Sequence, residues 1–82
     1  MNAERRLVEF IAHLGGPRAL FEYVNAHRQE GPPPEKVELL MDFRPVGGVI
    51  VGGYEDNQWW DLDTGEAFRF RPDAWARFPE GA

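Results

Sequence analysis

Two aspartates stand two positions apart in Asp61-Leu62-Asp63-Thr64-Gly65, beside a hydroxyl and a glycine. Carboxylates this close can share a proton, accept a phosphoryl group or hold a calcium ion. Glu9 and His13 lie one helical turn apart, which supplies at most two metal ligands. Gly47-Gly48 and Gly52-Gly53 raise the question of a loop that cradles phosphate. Each chemistry needs surroundings that the rest of the chain must provide.

Those surroundings are missing. A calcium loop beginning at Asp61 requires glycine at its sixth position and an acid at its twelfth, and these positions hold Glu66 and Pro72. Neither glycine pair precedes a helix or brings the lysine of a phosphate loop. His13 and His27 are too few for zinc, and no nucleophile stands beside a base. Leu62-Asp63-Thr64-Gly65 resembles the catalytic triplet of retroviral-type aspartic proteases, which implies a flap and a long sheet after it; only Glu66 to Ala82 follow. Asp61 to Gly65 also resembles the opening motif of haloacid-dehalogenase-type phosphatases, with glycine and threonine transposed and no parallel-sheet domain after it. Ile11 to Leu20 is similar to the first helix and turn of Cro-type phage repressors. Where a basic recognition helix should follow, the chain runs into Gln29-Glu30-Gly31 and three prolines. The expectation is a chain that is not an enzyme and takes neither metal nor cofactor.

The same residues make sense as turns. Asp63-Thr64-Gly65 suits a three-residue hairpin loop with glycine in the left-handed conformation. That register sets Asp61 opposite Ala67, Trp60 opposite Phe68 and Trp59 opposite Arg69, so that Trp60, Phe68 and Phe70 share one face. Asp56-Asn57 tolerate positive φ and suit a two-residue turn, pairing Tyr54 with Trp59 and Gly53 with Trp60. Glycine opposite an inward tryptophan would leave room for the indole. Upstream, Lys36 to Phe43 alternates apolar and polar residues until Pro45 and Gly47-Gly48 break the pattern. Four sequential antiparallel strands are expected near 36–43, 48–54, 58–62 and 66–71.

The first thirty residues read as helix. Leu7, Phe10, Ile11 and Leu14 mark one apolar face, and Leu20, Phe21 and Val24 mark another after the Gly15-Gly16-Pro17 break. The expected fold class is α+β, with two N-terminal helices on one face of a four-stranded antiparallel meander and a short C-terminal helical turn at 73–78. The chain divides into a helical part (1–30), a Pro-rich connector (31–35) and a meander with tail (36–82), together one domain. At 9.4 kDa the chain can bury a single core, to which its aromatics contribute heavily. The absence of cysteine fits a reducing cytoplasm, and no run of apolar residues is long enough to span a membrane.

Pro32-Pro33 before a strand, Val49-Ile50-Val51-Gly52-Gly53-Tyr54, Trp59-Trp60-Asp61, Thr64-Gly65-Glu66, Ala74-Trp75 and Phe78-Pro79-Glu80 form a further pattern. It is similar to a short domain of unknown function found in tailed phages and prophages. Those proteins end in His-Trp-x-x-Leu-Pro-Glu-Pro; here Ala74 replaces the histidine, Phe78 the leucine and Gly81 the last proline. The resemblance spans residues 32–80 and implies a phage or prophage accessory protein, with no catalytic residue to carry over.

A binding surface is the remaining expectation. Alternation places Tyr54, Trp59, Asp61, Arg69 and Arg71 on the sheet face that the two helices do not cover. Tyrosine, tryptophan and arginine are the residue types most enriched at binding hot spots. The expected function is occupation of a partner protein, as a regulator or inhibitor. A small-ligand module, for instance for carbohydrate, is the alternative use of the same face. Net charge is −5, and Glu55, Asp56, Asp61, Asp63 and Glu66 crowd one hairpin without a cation. This disfavours nucleic acid and points to a basic partner.

Overall fold

The computed structural model describes residues 2–44 and 48–79. The expected strand break at Pro45 and Gly47 lies outside them. Helix α1 (Asn2–Leu14) and helix α2 (Pro17–Ala26) form where the apolar spacing placed them. Gly15 and Gly16, both at positive φ, close α1 with a Schellman motif: Gly16 N–H donates to Ile11 O and Gly15 N–H to Ala12 O. Pro17, whose missing N–H costs nothing in a first turn, opens α2.

The strands are β1 (Leu39–Phe43), β2 (Gly48–Glu55), β3 (Gln58–Asp61) and β4 (Ala74–Arg77), all antiparallel in the order β3-β2-β1-β4. The α+β class, with two helices packed on a four-stranded antiparallel sheet, is as the sequence led us to expect. Among the described residues no helix is long and apolar enough to cross a membrane.

Three expectations are corrected. The fourth strand is 74–77 and not 66–71, and it returns to pair with β1, so the sheet is not a sequential meander. The tail expected to form a helical turn is therefore a strand; Ala74 and Ala76 face the helices, where small side chains let α2 approach closely. Segment 66–71 meets β3 only at a bridge between Trp60 and Ala67, one residue out of the expected register. The cause is the loop. Asp61 Oδ1 accepts hydrogen bonds from Asp63 N–H (2.8 Å) and Thr64 N–H (3.2 Å), and Gly65 N–H donates to Asp61 O. Leu62 to Gly65 thus form one longer loop, with Gly65 at φ 76°. Asp61→Ala is expected to cost about 1–2 kcal/mol, since two amide donors lose their acceptor; a urea melt checks it.

Central β1 is buried along its whole length, so it contributes to both faces. On the helix side Leu40, Val51, Ala74, Ala76 and Phe78 pack with Ala3, Phe10, Leu20 and Val24. Phe21, expected in this stripe, is instead exposed, with the Arg44 guanidinium 5.8 Å from its ring centre. Asp42 is fully buried in β1, and among the described residues its one side-chain partner is Arg44 Nε at 3.4 Å. Arg44 also donates to Asn25 Oδ1 at 2.9 Å and so ties α2 to the sheet. Arg44→Ala should lower stability by about 2–3 kcal/mol by leaving a buried carboxylate unpaired. Chemical denaturation reads this directly, and an effect below about 0.5 kcal/mol would show the pair to be idle.

The other face is not open. Leu39, Met41, Phe43 and Trp75 form a second buried cluster, with Val37, Ile50, Tyr54, Trp59 and Phe68 packed against it. Segment 28–37 lies over it: Gln29 N–H donates to Trp75 O, Trp75 Nε1–H to Gly31 O, and Pro33 is buried. Phe68 closes another part, its ring 4.6 Å from that of Phe43. Phe68 thus belongs to this face and not, as expected, to the one with Trp60.

Candidate functional site

The hairpin between β2 and β3 positions the central pair. Asp56 and Asn57 both adopt positive φ (55° and 61°), and Tyr54 pairs with Trp59 and Gly53 with Trp60, as alternation required. Tyr54 and Trp59 meet edge to face with centroids 5.0 Å apart, and both are half-buried. Tyr54 Oη donates to Asn57 Oδ1 at 3.3 Å, while Asp56 N–H donates to Glu35 Oε2 at 3.0 Å. These bonds fix the hairpin tip against the Pro-rich segment.

Trp59 and Arg71 are shared walls of three adjoining hollows. One, of about 240 Å³, is closed by Gly31, Pro32 and Tyr54. A second, of about 490 Å³, reaches Arg28, Glu30, Asp73 and Trp75. The third, of about 590 Å³, runs past Gln58 to Phe68, Arg69 and Phe70. Together they make a cleft between the connector, the β2–β3 hairpin and segment 67–73. Its lining combines Trp59, Trp75 and Phe68 with arginines and carboxylates, and concave sites of mixed lining are where ligands usually bind.

The structure brings Tyr54, Trp59 and Arg71 together and places Arg69 at the far end. It separates Asp61, which is committed to its own loop and borders a different hollow of about 350 Å³ with Trp60, Val37 and Leu62. Arg69 is not opposite Trp59; with the register one residue out, Phe68 N–H donates to Trp59 O instead. The expected stacking of Arg69 on Trp59 is not formed: among the described residues the guanidinium-over-ring contacts are Arg6 on Phe78 and Arg44 on Phe21.

Two contributors escaped sequence reasoning. Arg28 lies just beyond α2, and its Nη2 donates to Asp73 O at 3.3 Å across the cleft. Trp75 forms part of the floor. Neither shares a periodicity with Tyr54 and Trp59, because the connector and β4 arrive from distant parts of the chain. Among the described residues no group of three or more His, Cys, Asp or Glu is placed to hold a metal ion. The chain matches no protein-family model, no curated protein and no solved structure.

Proposed function

We propose that this chain is a small non-catalytic accessory protein, of the phage or prophage type, that acts in the cytoplasm by occupying a partner protein. The observation that carries the reading is the cleft in which Trp59 and Tyr54 stand half-exposed beside Arg71, on a face that is otherwise closed by its own connector. A fixed aromatic pair with an exposed arginine is the composition of a binding hot spot. Stacking of a sugar favours a flat platform, whereas the planes of Tyr54 and Trp59 lie 64° apart, so the protein-binding reading is preferred over the carbohydrate one.

The test is capture of a partner from a lysate of the source cell or its host. Trp59→Ala combined with Arg71→Ala is expected to abolish capture while circular dichroism still shows the folded protein. Arg71→Ala alone touches an exposed side chain, leaves the melt unchanged and should weaken capture at least fivefold. Undiminished capture by the folded double variant would overturn the proposal. Saturable quenching of tryptophan fluorescence by sugars would support the alternative.

A further inference from the structure

The arginines divide into two groups. Arg6, Arg18 and Arg44 each pair with a carboxylate, Glu38, Glu22 and Asp42 in turn, and Lys36 pairs with Glu55. Arg28, Arg69 and Arg71 form no such pair among the described residues, and all three border the Trp59 cleft. Among the described residues Arg5 and Arg77 also form no such pair, but they border none of its hollows. Among the described residues the cleft contains two carboxylates, Glu30 and Asp73, against three guanidinium groups. Asp73 is already engaged, its Oδ2 accepting from Arg44 N–H at 2.9 Å. A protein with a net charge of −5 therefore carries a cleft with a positive balance.

This pattern selects the sign of the occupant. Guanidinium groups make their strongest and most directional hydrogen bonds to carboxylates and phosphates. Arg28 is held by the Asp73 carbonyl, so part of its ordering cost is met before anything binds. A row of hollows along one cleft suits an extended chain better than a single compact ligand. A nucleic acid strand also brings anions, but the chain's net charge of −5 repels a polyanion. The aromatic pair, with its planes 64° apart, likewise does not form a coplanar platform for successive bases.

We infer that the Trp59 cleft receives an acidic, extended segment of a partner protein, its carboxylates held by Arg28, Arg69 and Arg71 and an apolar or aromatic side chain lodged against Trp59. This rests on the protein-binding reading above and replaces the basic partner expected from the acidic hairpin.

The test is selection of a random dodecapeptide display library on the immobilised full chain, with a labelled oligothymidylate measured separately by anisotropy. Peptides recovered by the wild-type protein should carry net negative charge and an apolar residue. Recovery should fall at least tenfold on Arg28→Ala/Arg71→Ala, be partly restored by Arg28→Lys/Arg71→Lys, and weaken as NaCl screens the cleft. Both arginines are exposed, so these variants stay folded, and circular dichroism checks that they do. Neutral or basic peptides whose recovery needs Trp59 but neither arginine would overturn the inference and leave the protein-binding reading standing. If no peptide is recovered in a Trp59-dependent way, both fall. Arginine-dependent binding of oligothymidylate that exceeds peptide binding would overturn the inference in favour of nucleic acid.

Discussion

Gly52→Ala is expected to unfold the protein or to lower its stability by about 3 kcal/mol or more. A Cβ at Gly52 would collide with Met41 Cε and with the carbonyl oxygen of Trp60. The methionine end can move, but the Trp60 carbonyl belongs to the β2–β3 ladder and cannot withdraw without breaking it. Overpacking alone costs about 1–3 kcal/mol, and a displaced strand adds lost pairing, a large part of the margin available to a small protein. At Gly53 a Cβ would meet Leu62 Cδ2 and Val37 O at 3.7 Å, which is ordinary contact. Gly53→Ala should therefore stay within about 1 kcal/mol of wild type. Urea melts of the two variants decide the matter, and the reverse ranking would mean that β2 and β3 are paired one residue out.

Trp75→Ala should destabilise by about 3–5 kcal/mol, the range for emptying a large aromatic site in a core. Trp75 is 7% exposed, packs with Leu39, Met41 and Phe43, and joins the connector through its indole hydrogen bond to Gly31. Trp60→Ala should cost less than half as much. Trp60 lies on edge strand β3, while the helices pack on β1, β2 and β4, and its indole is half-buried with its N–H bonded to Glu55 O. Paired denaturation curves test the order. A loss below about 1 kcal/mol at Trp75 would show that the second cluster contributes little to the stability of the fold.

Local chemistry carried most of what could be read in advance. Asp56-Asn57 sit in the tight turn their tolerance of positive φ suggested, and Tyr54 faces Trp59 because alternation in paired strands leaves no other choice. The helix boundary at Gly15-Gly16-Pro17 is a local event too. What failed turned on more than the strand pattern. Asp61 ends β3 and at the same time accepts from the Asp63 and Thr64 amides, which selects a loop one residue longer than expected. That choice moved Phe68 across to Phe43, which lies more than twenty residues away. Residues 74–77 read AWAR, too short a run to separate a strand from a helical turn by period. Only the open edge of β1 settles it.

The candidate site followed the same division. Tyr54 and Trp59 were legible because one hairpin sets both. The assignment of room to Gly53 was off by one residue, since the crowding carbonyl belongs to the neighbouring strand. Arg28 reaches the cleft through the connector, so no pattern within α2 announces it. The expectation of an uncovered second face failed because a segment of prolines, which cannot pair as a strand, can still lie across one and bury it.

The order β3-β2-β1-β4 also has a consequence during synthesis. Strands β1, β2 and β3 are consecutive in the chain and pair as neighbours. The strand that flanks β1 on its other side comes last of the four. A released chain that lacks Ala74 to Arg77 presents the most apolar strand of the protein as an unprotected edge, a template for pairing with other chains. Ribosomes that stall within residues 62–73 would release products prone to aggregate, whereas a few residues more would complete the sheet and keep them apart.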